Sequence, residues 1–446
     1  MPDTVRMAAT FARARWGFRF ASRERLLRWQ QRRIARFLSG AASRAAFYRP
    51  YAGAGLPDLP IVDKALVLEH FADFNTRGVS LDRAMGIAIA AERSRDFLPT
   101  LDGLTVGLSS GTSGTRGIFL VSPQERQRWA GLMLARLLTT AALRQFAQPW
   151  RPPLRIAFAL RANSNLYESV GSRRLRFTFL DLIEPFDAHL RRLNASPPHI
   201  LVAPPTVLRR LAVAVLSGDL RIAPTQVVSV AEVIEPDDRV AIDRAFGVPI
   251  QEVYQASEGF LGASCAAGRI HLNEQFLHVE PEWIGSDRRR FRPIVTDFTR
   301  TTQLVVRYRL DDMLRAAAGP CPCGQVTRSL EAIEGRADDV LWLRPKAGGA
   351  ARAVFPDLVR RSMALAGPIG DYRIEQREAT WHVQIDLDPA GALAVQPAIQ
   401  RELAVLGDGL GLEPAAVRFD PWHARSPIDK RRRIRCLTPP AIAEKT

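Results

Sequence analysis

The sequence has 446 residues, a length at which two or more domains are expected. Hydrophobic residues make up 47% of it and charged residues 24%, a balance that excludes a largely disordered chain. Arg136 interrupts the apolar segment GLMLARLLTTAAL, so no stretch reaches the roughly 18 residues that a membrane-spanning helix needs. The N-terminal segment carries scattered arginines and no secretory-signal pattern, and we therefore expect a cytoplasmic protein.

The formal net charge is +16, and arginine supplies nearly all of the positive charge. The lysines are Lys64, Lys346, Lys430 and Lys445. A biased genome composition produces such an excess without a functional cause, although a basic surface also attracts polyanions. No nucleic-acid-binding motif is visible and the aromatic residues do not alternate with the basic runs, so no nucleic-acid partner is expected.

The first clear element is residues 22–38, where apolar side chains recur at helical spacing among arginines. This pattern fits a membrane-surface helix or a helix packed on its own domain, and we favour the second. From about residue 100 onward, strands and helices alternate. Ser122, Pro123 and Glu125 predict a helix start with a capping box, followed by one helix over RWAGLMLARLLTTAAL.

Further along, predicted strands alternate with the helices TVLRRLAVAVL and PDDRVAIDRAF. These strands are LRIAFAL, LRFTFLDL, HILVAPP, QVVSVAEV and IQEVYQAS. The alternation predicts an α/β fold with a mostly parallel sheet covered by helices, in which ligands bind beyond the carboxyl ends of the strands. Shorter strands and glycine turns after residue 336 predict a small α+β domain. We therefore expect a large domain over residues 1–336 and a small mobile domain over residues 337–446, with the hinge inside GRADDVL.

The segment SSGTSGTRG stands between two β-prone segments, LTVGL and IFLV. Its hydroxyl and glycine residues are Ser109, Ser110, Gly111, Thr112, Ser113, Gly114, Thr115 and Gly117. Their hydroxyls and backbone N–H groups suit phosphate oxygens. The familiar phosphate loop carries a lysine and opens a helix, whereas this one lacks lysine and joins two strands. A phosphate-binding hairpin and a flexible surface hairpin both remain open on this segment alone.

Five elements in order resemble the signature motifs of the adenylate-forming enzymes. They are the Ser/Gly/Thr loop, YQASE at residues 254–258, YRLDD at 308–312, GRADD at 335–339 and Lys430 in SPIDKRRRI. FYRPY, LPIVDK, APPTVL and CPCG are similar to the phenylacetate–coenzyme A ligase branch, which includes deazaflavin-coenzyme adenylyltransferases and CapK-like relatives. The resemblance covers nearly the whole chain.

The resemblance implies that a carboxylate oxygen attacks the α-phosphorus of ATP, giving an acyl-adenylate and pyrophosphate. It implies that residues 109–115 hold the β- and γ-phosphates. It also implies that Tyr254 packs on adenine, Ser257 contacts the α-phosphate and Glu258 helps to hold Mg²⁺. Asp312 would bind the ribose hydroxyls, Arg336 would support the same region, and Lys430 would bridge the carboxylate and the α-phosphate. Glu232 is a further nucleotide-binding candidate. Phe158, Asn163, Asn165, Tyr167, Phe177 and residues near Glu232 would form the acyl pocket, which suits an aryl or hydroxyaryl acid.

Several positions depart from the family pattern. Arg116 stands where proline is usual and Gly117 where lysine is usual, so hydroxyls, N–H groups and Arg116 would hold the phosphates. Gln255 replaces a glycine at the border of the acyl pocket, and Leu310 with Asp311 replaces a small residue and a glycine. These departures leave the substrate class open, and they also leave open a catalytically silent relative.

The fate of the adenylate is open as well. The acyl group would pass to coenzyme A after the small domain rotates about Asp338 and Asp339. The alternative enzyme stops at adenylyl transfer and leaves AMP on its acceptor. The non-enzymatic alternative is a basic, zinc-containing protein that binds nucleic acid. A homodimer is possible.

Three of the four cysteines stand near the motifs. Cys265, Cys321 and Cys323, together with His271, would supply three thiolates and one imidazole to a tetrahedral structural Zn²⁺. The resembled branch carries such a cluster. Unrelated buried cysteines are the alternative, and a disulfide framework is not expected in a long chain without a secretory signal.

Overall fold

The computed structural model describes residues 3–108, 116–160, 172–284, 287–367, 369–424 and 431–438. The chain divides into two compact units. The first comprises Met1–Leu310 and Ala316–Ala332, and the second comprises Asp311–Arg315 and Ile333–Thr446. Among the helices that the structure describes, none has both the length and the apolar composition of a membrane span.

Within the described residues, the first unit contains nine α-helices, some of which pack on the two faces of its main sheet. They are α1 (Asp3–Ala12), α2 (Arg23–Gly40), α3 (Lys64–Glu69), α4 (Leu81–Ser94), α5 (Pro123–Leu137), α6 (Thr140–Ala147), α7 (Phe186–Ala195), α8 (Pro205–Ser217) and α9 (Pro236–Phe246).

The first fourteen strands in the described part of the chain include the predicted hairpin and the predicted parallel run. They are β1 (Thr105–Leu108), β2 (Ile118–Val121), β3 (Leu154–Leu160), β4 (Leu175–Asp181), β5 (Ile200–Ala203), β6 (Gln226–Ser229), β7 (Ile250–Ala256), β8 (Gly259–Ser264), β9 (Ile270–Leu272), β10 (Leu277–Ile284), β11 (Arg290–Asp297), β12 (Tyr308–Arg309), β13 (Asp312–Ala316) and β14 (Ser329–Arg336). β1 and β2 form an antiparallel hairpin.

The main sheet has a parallel half and an antiparallel half. Strands β4-β3-β5-β6-β7 pair in parallel in that order. From β7 the sheet continues antiparallel through β8, β9 and β14, and β10, β11 and β12 also pair antiparallel. The predicted helix-covered α/β fold is confirmed, but the antiparallel half was not predicted.

Alternating side chains of the parallel strands build two cores. On β3, Ile156 and Phe158 join the core beneath α5 and α6, whereas Ala157 and Ala159 join the core beneath α7, α8 and α9. Successive residues of a strand point to opposite faces, so a sheet buried on both sides needs apolar residues throughout. Burying one large apolar side chain stabilises the folded state by about 1.5–3 kcal/mol relative to leaving it exposed. Both faces of these strands gain this stabilisation, so the strands are near-continuous apolar runs.

The start of α5 agrees with the capping pattern. Ser122 Oγ accepts a hydrogen bond from the Glu125 backbone N–H, and Glu125 Oε2 accepts one from the Ser122 N–H at 2.8 Å. The prediction of one continuous helix through residue 143 is wrong. The chain is extended at Leu138, and Thr139 begins α6 by accepting a hydrogen bond from the Ala142 N–H at 3.1 Å.

Helix α2 buries its apolar stripe within the first unit. Leu26, Ile34 and Phe37 are buried, and Gln30 Nε2 donates to the carbonyls of Glu274 and Leu277 at 2.6 and 2.9 Å. The arginines occupy the remaining surface. This packing favours the interpretation of residues 22–38 as a helix packed on its own domain.

The second unit has its own α+β core, as expected. Its strands and helices beyond β14 are β15 (Leu341–Leu343), β16 (Arg352–Val354), β17 (Tyr372–Arg377), β18 (Thr380–Ile385), β19 (Ala416–Phe419), β20 (Ile434–Cys436), α10 (Pro356–Ala366) and α11 (Pro389–Gly409). The sheet order is β19-β18-β17-β20. Trp381, Ile374 and Val383 of the sheet pack with Ile399 and Leu403 of α11.

Candidate functional site

Some predicted site residues lie outside the described residues. They are residues 109–115 of the loop, Asn163, Asn165 and Tyr167 of the acyl pocket, and Lys430. Their predicted roles stay predictions.

Ser257 and Glu258 form the turn between β7 and β8. The two strands pair as an antiparallel hairpin, with Ala256 opposite Gly259 and an irregular register between Tyr254 and Gln255. Tyr254 is buried on β7. The predicted motif therefore sits at a strand end, where β7 turns back into the antiparallel half of the sheet.

The Ser257–Glu258 turn lines a small open cleft in the first unit. The cleft also includes Gly117, the last residue of SSGTSGTRG, and the beginning of β2, which follows it. Lys64 and Tyr308 contribute to the same lining. The cleft lining thus includes the Ser257–Glu258 turn of YQASE, Tyr308 of YRLDD, and the beginning of the strand that follows the loop.

Arg300 holds the turn and β2 together. Its Nη1 donates to the carbonyl oxygens of Ser257 and Glu258, both at 3.4 Å, and its Nη2 donates to the Leu120 carbonyl at 3.2 Å. Gln303 completes the connection, since its Oε1 accepts from the Leu120 N–H at 2.8 Å and its Nε2 donates to the Ile118 carbonyl at 3.3 Å. Sequence reasoning missed both residues because isolated polar residues in an irregular segment form no motif.

Glu125 anchors the same segment from α5. Its Oε1 accepts from the Thr302 N–H at 2.9 Å and also from the Thr301 N–H. Burial alone would raise the pKa of the Glu125 carboxyl, but the charge of Arg300 and the hydrogen bonds from Thr302, Ser122 and Thr301 outweigh it, so the pKa lies below its ordinary value. This carboxylate is therefore ionised at neutral pH and fixes the segment that carries Arg300.

Replacing Glu125 with glutamine is expected to lower the free energy of unfolding at pH 7 by about 1–3 kcal/mol. A carboxyl whose pKa is depressed in the folded state stabilises that state above its unfolded pKa, and the contribution disappears as the pH falls through the folded pKa. The stability difference between the wild type and the variant should therefore shrink below about pH 4.5, the ordinary value of a glutamate. Denaturant unfolding at several pH values measures this, and a gap that stays constant with pH would contradict it.

Arg116 is engaged by α4. Its Nη1 and Nη2 donate to the Glu92 carboxylate at 2.6 and 2.7 Å. This hydrogen-bonded pair raises the pKa of Arg116 and lowers the pKa of Glu92. The guanidinium is therefore bound to a side chain of its own unit, and this pairing gives no support to the hypothesis that Arg116 holds phosphates.

Glu232 follows the carboxyl end of β6. Ser229 of β6 is in register with Glu252 of β7, so Glu232 lies beyond the same edge of the parallel strands as the end of β7. The Glu232 carboxylate accepts a hydrogen bond from Thr206 Oγ1 at 2.8 Å. Phe158 and the neighbouring Phe177 lie in the core beneath α5, a position that packing alone explains.

The predicted residues Asp312 and Arg336 both belong to the second unit. The Ala337 N–H donates to the Asp311 carbonyl at 2.6 Å, so the two motifs adjoin. Arg432 binds the two aspartates of the predicted hinge: its Nη1 donates to Asp338 at 3.0 Å and its Nε donates to Asp339 at 2.9 Å. Arg432 stands two residues after Lys430 in the sequence.

The predicted cysteine cluster assembles in the first unit. One potential ligand atom from each of Cys265, His271, Cys321 and Cys323 lies within 4.8 Å of the others. Cys265 Sγ is 3.6 Å from Cys321 Sγ, and Cys323 Sγ is 3.4 Å from His271 Nε2. The cluster joins the β8–β9 hairpin to the CPCG turn, and none of its cysteines forms a disulfide.

The donor set fits a structural zinc ion. His271 Nδ1 lies 2.9 Å from Thr327 Oγ1 and 3.2 Å from the Thr327 carbonyl oxygen. A carbonyl can only accept, which favours a proton on Nδ1 and leaves the Nε2 lone pair directed at Cys323. Burial, together with the neighbouring Cys321 and Cys265 thiols, raises the pKa of Cys323 to about 11. A central cation would reverse this effect, because it favours thiolates.

Comparison with known protein families and with curated proteins gives no match. Solved structures do match. 2-Hydroxyisobutyryl-CoA ligase in its postadenylation state, with R3-HIB-AMP, aligns over 98% of this chain and 88% of its own, with 15% identity and a TM-score of 0.60. GH3.15 acyl acid amido synthetase aligns over 88% of this chain and 86% of its own, with 12% identity and a TM-score of 0.51.

A fatty acyl-adenylate ligase, from a study of the E. coli and L. pneumophila enzymes, aligns over 73% of this chain and 68% of its own, with 13% identity and a TM-score of 0.51. Identities this low establish the fold alone. The chain therefore has the mixed α/β fold of the ligases that form acyl-adenylates, with a large sheet-containing unit and a smaller C-terminal unit.

Proposed function

We propose that this protein activates a carboxylic acid with ATP. A carboxylate oxygen attacks the α-phosphorus, the bond to the β-phosphate bridging oxygen breaks, and acyl-adenylate and pyrophosphate form. The observation that carries the proposal is the cleft in which the Ser257–Glu258 turn meets the strand that follows the Ser/Gly/Thr segment, within the fold of acyl-adenylate-forming ligases. Charge develops on the transferring phosphoryl and on the leaving pyrophosphate, so positioning and charge stabilisation supply most of the catalysis.

The proposed residue roles follow from the resemblance, and the position of Ser257 and Glu258 in the cleft supports the first two. Ser257 would donate to the α-phosphate, and Glu258 would hold Mg²⁺, a hard cation that binds carboxylate and phosphate oxygens. When bound, Mg²⁺ neutralises phosphate charge. The remaining proposed roles are residues 109–115 on the β- and γ-phosphates, Tyr254 on adenine, Asp312 and Arg336 around the ribose, Lys430 on the carboxylate and α-phosphate, and Glu232 near the acyl group.

For the second step we propose transfer of the acyl group to coenzyme A. The thiolate attacks the acyl carbon and AMP leaves. Support comes from the 2-hydroxyisobutyryl-CoA ligase, whose open form is described in complex with 2-HIB-AMP and CoA and aligns with a TM-score of 0.54. The acid is proposed to be aryl or hydroxyaryl because of the resemblance of the pocket residues. Small aliphatic hydroxy acids belong in the same test because one structural neighbour is a 2-hydroxyisobutyryl-CoA ligase.

The test is pyrophosphate release from ATP over a panel of aryl, hydroxyaryl, short hydroxy and fatty acids, each with and without coenzyme A. We expect release that depends on one acid class, and AMP and a thioester when coenzyme A is present. AMP attached to an acceptor without thioester would instead identify adenylyl transfer. No release with any acid, combined with salt-dependent DNA binding, would contradict the proposal and favour the nucleic-acid alternative.

We also propose that Cys265, His271, Cys321 and Cys323 bind a structural Zn²⁺. Four protein ligands leave no open coordination position, so its role would be to stabilise the fold. It would fasten the β8–β9 hairpin, which begins at the Ser257–Glu258 turn, to the CPCG turn.

A further inference from the structure

Lysine is rare in this chain, and one of its lysines lies in the candidate cleft. Of 62 basic residues, four are lysines. An ammonium is a compact point charge with rotatable donors, and a guanidinium is a planar fork, so the two side chains are not interchangeable at a phosphate. Lys64 is therefore a residue to explain, particularly in a protein whose Ser/Gly/Thr segment lacks lysine.

The backbone around Lys64 is fixed to the strand that precedes Asp311. The Val62 N–H donates to the Arg307 carbonyl at 3.1 Å, and the Arg309 N–H donates to the Val62 carbonyl at 2.8 Å. Asp63 caps α3 by accepting a hydrogen bond from the Leu66 N–H at 3.0 Å. Lys64 is the first residue of that helix, so its backbone position is set by bonds on both sides.

Lys64 lines the same cleft as Gly117, Ser257 and Glu258. Gly117 occupies the position at which the resembled family carries the lysine of its loop. A lysine of α3 thus lines the same cleft as the position from which that lysine is missing.

We infer that Lys64 binds the terminal phosphates of the nucleotide and takes the place of the absent loop lysine. This inference rests on the proposed function. The ammonium contributes charge-assisted hydrogen bonds to the β- and γ-phosphate oxygens in ATP and to the leaving pyrophosphate. AMP has neither of these phosphates, so Lys64 distinguishes ATP from AMP.

The test measures binding of α,β-methylene-ATP with Mg²⁺, of AMP, and of pyrophosphate with Mg²⁺ to the full chain by calorimetry. Lys64→Ala is expected to weaken α,β-methylene-ATP and pyrophosphate by about ten- to a hundredfold, and to change AMP by less than about twofold. Lys64→Arg keeps the charge and should fall between these values. Lys346→Ala, which removes an exposed lysine paired with Asp408 in the second unit, should leave all three affinities unchanged.

The outcomes separate the inference from the function on which it rests. Wild-type affinity for α,β-methylene-ATP in Lys64→Ala would overturn the inference and leave the proposed function standing. An equal loss of AMP affinity would also overturn it, because that loss indicates a structural role. Failure of the wild-type protein to bind α,β-methylene-ATP would instead refute the proposed function. Equal thermal midpoints of wild type and variant verify that Lys64→Ala is folded.

Discussion

Glu258→Gln is expected to reduce acid-dependent pyrophosphate release by about two to three orders of magnitude, the usual loss when one preorganised electrostatic contact to the transition state is removed. The amide keeps the shape of the side chain but removes the charge that would hold Mg²⁺. Arg300 donates to the main-chain carbonyls of Ser257 and Glu258, not to their side chains, so the turn should keep its position in the variant. Initial rates over a range of Mg²⁺ concentrations measure the effect.

A matched control is available on the same hairpin. Glu252 lies on β7, and its carboxylate is ion-paired with Arg239 of α9 and does not line the cleft. Glu252→Gln removes the same charge and should leave the rate within about twofold, because a half-exposed ion pair contributes little. Full activity in Glu258→Gln would remove this carboxylate from the mechanism, and an equal loss in both variants would point to a general charge effect.

Removal of zinc is the second large effect that we expect. The purified protein should contain one zinc ion per chain, and a strong chelator should lower the thermal midpoint by at least about 10 °C. Structural zinc sites contribute several kcal/mol or more to folding, and each kcal/mol shifts the midpoint of a large domain by about 2–4 °C. Cys323→Ser should lose the metal and show the same lowered midpoint.

Cys436→Ser is the control for the zinc experiment. Cys436 is buried in the core of the second unit and is not part of the cluster. This variant should keep one zinc ion per chain even if its core packing is weakened. A zinc-free protein as purified, with a midpoint that chelator leaves unchanged, would show that the four residues are an unmetallated cluster.

Local and periodic features of the fold were predictable from the sequence. The apolar runs over β3, β5 and β6 indicated strands buried on both faces, and Ser122 with Glu125 indicated where α5 begins. The break between α5 and α6 was not predicted because the leucines around Leu138 and Thr139 continue the apolar pattern of a helix. A single threonine within such a pattern does not by itself indicate a new helix start.

The contacts that build the cleft were not predictable in the same way. Arg300 and Gln303 bond to β2, about 180 residues earlier in the chain, and such pairs leave no periodic trace in one sequence. The cysteine cluster was predictable because its ligand chemistry is rare and its members stand near the motifs. Lys64 was not predicted because a single lysine has no diagnostic spacing. It stands in the segment LPIVDK, which indicated a family resemblance and no ligand contact.

The most direct test of the account follows the oxygen atoms of the acid. A substrate labelled with ¹⁸O in its carboxylate should transfer one labelled oxygen to AMP when ATP and the acceptor are present, because the attacking carboxylate oxygen stays on phosphorus when the acyl bond is broken. The thioester should keep the other labelled oxygen. AMP without label, or the formation of ADP together with labelled inorganic phosphate, would contradict attack at the α-phosphorus and with it the function proposed for the cleft.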